Sequence, residues 1–126
     1  RSAMEGATFA LRYGVDRLGV LGISASEILL TGGGSGSATW RQAVADICNV
    51  PVTILQQDEG ASFGAALQAL SALEECGAGD LQQLADDHLV RNEALCCEPK
   101  KSAVNFYNEA YQKYQESVSA IKPLYR

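Results

Sequence analysis

The 126-residue sequence predicts an α/β fold of short parallel strands alternating with helices, followed by a helical C-terminal tail. Three observations carry that prediction. Two short apolar runs, at 27–31 and 52–55, have the length of strands buried in a parallel sheet. Each run lies between segments whose apolar residues recur every three or four positions, giving the order helix, strand, helix, strand, helix. Beyond Gly79 only helical periodicities remain. The change divides the chain into a first unit over 1–79 and a helical extension over 80–126 that packs on the same domain.

The bulk properties exclude several classes of function. A chain of 126 residues with 47% hydrophobic residues suits one ordinary globular domain with a real core. Its net charge of −5 leaves no basic surface to neutralise nucleic-acid phosphates. The longest apolar runs, such as 50–55, are far short of the ~20 residues that a membrane span needs. No secretory signal is visible at the start. Cys48, Cys76, Cys96 and Cys97 form no CxxC pair, and His88 is the sole histidine, so no metal-ligating set is read. Adjacent Cys96 and Cys97 can hardly bond to each other without strain. Reduced thiols in a cytoplasmic protein are therefore expected. The chain opens Arg1-Ser2-Ala3-Met4-Glu5 already inside a helical pattern, and the expectation is a piece of a longer protein.

The elements follow in order. Over 3–21, Met4, Ala7, Leu11, Gly14, Val15, Leu18 and Leu21 make one apolar stripe, widened by Phe9, Ala10 and Tyr13, with Gly22 as the stop. A polar connector at 24–27 leads to the first strand. Past a glycine-rich turn, Trp40, Ala43, Val44, Ile47 and Cys48 fall on one helical face, with Arg41, Gln42 and Asp46 elsewhere. Ser37 is placed to cap that helix, Asn49 to end it, and Pro51 prevents its continuation.

The second strand gives way to Gln56-Gln57-Asp58-Glu59-Gly60, which sets acidic residues before the positive end of another helix. That helix, over 60–75, has a bulky face (Phe63, Ala66, Leu67, Leu70, Leu73) and a small-residue face (Ala61, Gly64, Ala65, Ala69, Ala72). A glycine inside a helix costs ~1 kcal/mol, so a packing or ligand reason is expected at Gly64. Leu81, Leu84, Leu89 and Val90 imply a short helix, followed by a polar loop through Pro99. Phe106, Tyr107, Ala110, Tyr111, Tyr114, Val118 and Ile121 then define a terminal helix whose aromatic stripe reads as core packing. Two strands alone make a poor sheet, which again points to a domain with a part missing.

The chemical suggestion is concentrated at Thr31-Gly32-Gly33-Gly34-Ser35-Gly36-Ser37. A buried strand that delivers a glycine turn to a helix N-terminus is a common way to hold a phosphate. A bare turn needs only one or two glycines, and close approach of a ligand to the backbone accounts for the surplus. No lysine is present for a GxxxxGK phosphate loop. The dinucleotide pattern GxGxxG fails because Ser37 or Thr39 occupies its sixth position, and Gln56-Gln57 follow the second strand where an acidic residue is needed. A dehydrogenase is thus a weak alternative. Asp46 lies more than two turns beyond the loop and reads as a solvated or capping carboxylate, and His88 as a surface or helix-end residue. Glu59 at most shapes the turn before its helix.

Three ordered motifs then carry a resemblance. The run Thr31-Gly32-Gly33-Gly34-Ser35-Gly36-Ser37-Ala38-Thr39-Trp40-Arg41-Gln42, continuing through Ala45-Asp46-Ile47 and Val50-Pro51-Val52, resembles the C-terminal domain of the FGGY carbohydrate kinases. Glu5-Gly6-Ala7-Thr8-Phe9-Ala10-Leu11-Arg12 resembles that family's preceding helix, and Glu59-Gly60-Ala61-Ser62-Phe63-Gly64-Ala65-Ala66 its following one. The likeness covers about 4–75.

The resemblance implies half of an actin-like, ribonuclease H-like ATPase fold, with ATP as cofactor and Mg2+ bound mainly through the nucleotide. It brings Gly32, Gly33 and Gly34 close to the phosphates, Gly33 foremost. Ser37 stands where several members carry an asparagine near the adenine, and its hydroxyl reaches less far than an amide. Trp40-Arg41-Gln42 with Ala45-Asp46, and Tyr107, Tyr111 and Tyr114 ahead of Leu124-Tyr125, are most similar to the branch that phosphorylates D-xylulose. Gluconate kinases share much of the pattern. The family's catalytic aspartate and sugar-binding residues lie upstream, so the resemblance assigns no catalytic residue here and expects the fragment alone to be inactive. It leaves a homodimer open. A non-catalytic nucleotide-binding module of the same superfamily is the reading from another class.

Overall fold

The centre of the fold is the helix that follows the glycine turn, and its ends lie where the sequence marks them. In the computed structural model, which describes residues 1–56, 60–73 and 78–125, this helix is α2 (Ala38–Cys48). Ser37 Oγ accepts the Trp40 amide N–H at 3.3 Å, satisfying one of the donors that a helix start leaves over. Asn49 closes the other end in the left-handed conformation, φ 53°, with its N–H on the Ala45 carbonyl. Before α2 come α1 (Ser2–Val20) and β1 (Ile28–Leu29). After it come β2 (Val52–Thr53), α3 (Gly60–Leu73), α4 (Ala78–His88), a 3-10 turn at Glu93–Leu95, α5 (Lys101–Ile121) and a final 3-10 turn at Lys122–Tyr125.

α2 is buried on more than the single face that its pattern predicts. Ala43 and Ile47 pack with Phe9, Tyr107 and Tyr111 in one cluster. Val44 and Ala45 pack with Val52 and Ile54 in a second, which Trp40 and Cys48 also join. The helix is sandwiched between α1 and α5 on one side and the sheet on the other. Arg41 and Asp46, off the predicted face, are buried as a result.

β1 and β2 pair in parallel, with Ile28 opposite Val52 and Leu29 opposite Thr53. Both are shorter than the apolar runs that predict them. The stretch read as a polar loop turns out to line the outer edge of β2. Val52 and Cys97 exchange both backbone hydrogen bonds at 2.9 Å, and Asn92 donates to the Ile54 carbonyl at 2.7 Å. Polar composition hides this role, because an edge segment needs its backbone groups and no alternating apolar side chains.

In α1 the buried side chains are Thr8 and Phe9, whereas Leu11, Leu18 and Leu21 of the predicted stripe are exposed. Phe9 enters the tyrosine cluster, with ring centroids 6.2, 5.9 and 5.5 Å from those of Tyr107, Tyr111 and Tyr114. Those three tyrosines are core packing, as the spacing predicts, while Phe106 of the same stripe is exposed. Arg12 lies 4.2 Å above the Tyr111 ring and donates to the Ile47 carbonyl at 2.9 Å. One cation thus covers an aromatic face and the C-terminal end of α2. No helix among the described residues is long and apolar enough to cross a membrane.

Candidate functional site

In a parallel sheet, ligands gather beyond the carboxyl ends of the strands, where the following helices begin. Here β1 runs through Leu30 and Thr31 into the glycine turn and α2. The first residue of α3 reaches the same place, since a Cβ built on Gly60 would lie 2.6 Å from Thr31 Oγ1. Two helix N-termini, each the positive end of a peptide dipole, therefore converge beside the turn. Residues 57–59, including Glu59, lie outside the described residues.

The turn is held by its own carbonyls. Gly32 O accepts from Ser35 N at 2.9 Å and from Ser35 Oγ at 2.6 Å. Gly34 O accepts from Ser37 N at 3.2 Å, and Ser35 O accepts from Arg41 Nη1 at 2.6 Å. The amides of Gly33, Gly34 and Gly36 donate to no acceptor among the described residues. A loop with its Gly32, Gly34 and Ser35 carbonyls occupied and N–H groups available suits an anion.

The glycines separate by cause. Gly32 has φ +82°, a conformation that other residues rarely take. Gly34 lies against the Trp40 ring, where a Cβ would approach Cε3 to 3.3 Å. Gly33 is exposed, and a Cβ there would meet nothing within 4 Å. Among the described residues nothing accounts for glycine at 33. Gly64 is in the same position, because its Cβ would also enter open space. Ser37, the other sequence-predicted contact, uses its hydroxyl as the cap of α2.

The remaining polar candidates have structural partners. Asp46 Oδ1 accepts from Lys100 N at 2.8 Å and from Gln42 Nε2 at 2.9 Å. It is a buried capping group at the start of α5 and is not solvated. His88 is exposed at the end of α4, with Nδ1 2.9 Å from the Leu84 carbonyl. Glu27 binds Thr53 Oγ1 and pairs with Arg91 at 2.8 Å, beside a cavity of about 270 Å³. A cavity of about 220 Å³ between α1, α2 and α5 is lined by Glu5, Gln42, Asp46 and Tyr107 among others. The Arg1 guanidinium holds the Glu5 carboxyl below its ordinary range, and burial raises the Tyr107 phenol. Neither cavity includes the glycine turn.

Sequence reasoning missed Arg41 and the Thr31–Gly60 contact. A charged residue next to Trp40 carries no mark of being buried, and Gly60 reads as an ordinary helix start.

A strand, a glycine turn and two converging helix starts define an α/β domain whose helices begin at one end of a short parallel sheet. The chain belongs to the FGGY family of carbohydrate kinases, whose C-terminal domain matches residues 1–73. It is 40% identical over 96% of its length to the xylulose kinase of Haemophilus influenzae. Two crystal structures from Lactobacillus acidophilus share its fold. They are a gluconate kinase, at TM-score 0.82 over 96% of this chain, and a ligand-bound xylulose kinase, at 0.80 over 97%. Each is 24% identical to it. FGGY sugar kinases have the actin-like ATPase fold, so the short sheet and its helices are part of that architecture. The chain spans 24% of the length of each of these three proteins.

Proposed function

We propose that this chain is the ATP-binding C-terminal portion of a sugar kinase that phosphorylates D-xylulose to xylulose 5-phosphate with MgATP. The observation that carries the reading is Gly33, for which no described residue gives a cause, in a turn whose Gly32, Gly34 and Ser35 carbonyls are engaged. In this reading Gly32, Gly33 and Gly34 approach the nucleotide phosphates, and Ser37 keeps the start of α2 in place near the nucleoside. The preference for xylulose rests on the 40% identity to the Haemophilus influenzae enzyme. The fold alone does not select the sugar, because the gluconate and xylulose kinases match it at the same 24% identity.

Phosphoryl transfer depends on positioning and on stabilising charge, with a carboxylate taking the proton of the attacking hydroxyl. MgATP supplies the phosphoryl group. The contribution of this chain is to bind and orient it, since among the described residues Asp46 is committed to α5, Glu5 to Arg1 and Glu27 to Arg91. The base and most sugar contacts belong to the rest of a longer chain, and these 126 residues alone are inactive in this reading. Calorimetry of ADP binding to the full-length chain tests the site. Gly33→Val should weaken ADP at least tenfold, by placing a branched side chain where the phosphates approach. Unchanged ADP affinity in the variant would remove the turn from the nucleotide site.

A further inference from the structure

Arg41 is the least expected residue of the turn. It lies in the first turn of α2, is only 7% exposed, and folds back to donate Nη1 to the Ser35 carbonyl at 2.6 Å. Among the described residues its Nε has no hydrogen-bond partner and no carboxylate pairs with it. A buried cation in that condition is costly, and a nearby anion offsets the cost.

Its geometric effect follows from the planarity of the peptide group. Every peptide bond described is trans, and in a trans peptide the C=O and N–H point in opposite directions. Drawing the Ser35 carbonyl inward to Arg41 turns the Gly36 N–H the other way. Drawing the Gly32 carbonyl onto Ser35 does the same to the Gly33 N–H. Ser35 links the two, being itself buried and held by Arg41.

We infer that Arg41 is a positioning residue for the nucleotide. From beneath the glycine turn it fixes the Ser35 peptide, so that the Gly33 and Gly36 amides face outward, and adds positive charge under the phosphates. The inference rests on the nucleotide reading proposed above. It predicts a selective effect, on binding of the phosphates and not of the nucleoside.

The test compares ADP and adenosine by calorimetry in the full-length chain. Arg41→Met is expected to weaken ADP about tenfold, as loss of a charge-assisted contact does, and to leave adenosine within about twofold. An equal loss for both ligands, which a merely structural role produces, overturns the inference, and so does unchanged ADP affinity. Absence of ADP binding in the unaltered chain overturns the nucleotide reading and this inference with it. Should Arg41→Met fail to fold, Arg41→Lys carries the comparison, because it keeps the charge and loses the planar fork. A loss of about threefold for ADP alone supports the inference, and equal effects on ADP and adenosine overturn it.

Discussion

The glycines of the turn look alike in sequence and differ in what they do. Gly34 makes room for the Trp40 ring, whose indole N–H in turn donates to the fully buried Thr8 hydroxyl at 3.1 Å. Gly34→Ala should therefore destabilise by about 1–3 kcal/mol, the usual cost of forcing a methyl group into packed space. Gly33→Ala meets no atom and should change stability by no more than ~0.5 kcal/mol. Urea unfolding of the two variants checks the contrast, and equal losses would contradict it. That the turn contains glycine was legible from the pattern, and the family resemblance singled out Gly33; that Gly32 serves conformation and Gly34 packing was not. The distinction depends on a side chain six positions away and on a backbone angle, neither of which a run of glycines encodes.

At the scale of elements, α2 and α5 are joined by a polar fastening that sequence distance conceals. Asp46 and Lys100 are 54 residues apart, yet the carboxylate accepts the amide at the start of α5, where a negative charge also suits the helix dipole. Gln42 reinforces it by donating to both Asp46 and the Glu98 carbonyl. Asp46→Ala leaves the Lys100 N–H without its partner, and a loss of about 1–3 kcal/mol is expected. Amide exchange should quicken over the first turn of α5 before it does in the middle of α2. Uniform protection in the variant would show that the aromatic packing alone seats α5. Element order, the caps at Ser37 and Asn49, and the aromatic seam of α5 were legible, because local sequence determines each. The β2 edge segment was not, since backbone pairing leaves little trace in side-chain type.

Across the whole molecule, two tyrosine hydroxyls tie the first helix to the last long one, Tyr107 donating to Glu5 at 2.9 Å. Tyr111 donates to Asp16 at 2.7 Å, and burial first, then that carboxylate, push the Tyr111 phenol up to about 12. A folded-state value above the unfolded one of about 10 means that this contribution is complete below pH ~10 and lost as pH rises toward 12. Tyr111→Phe should flatten the alkaline limb of thermal stability between those values, and an unchanged limb would assign it to other groups. The same scale accounts for the exposed residues of α1. Leu11, Leu18 and Leu21 are apolar at helical spacing, but α2 and α5 cover only the side that carries Thr8 and Phe9. Alternation of strand and helix, helix boundaries and family motifs were determined by the sequence alone, because each follows from spacing and residue type within a few turns of chain. Which face of α1 is buried, that Arg41 lies beneath the glycine turn, and that Asp46 caps a distant helix were decided only by the tertiary structure. Burial and hydrogen bonding between segments depend on which surfaces meet in space.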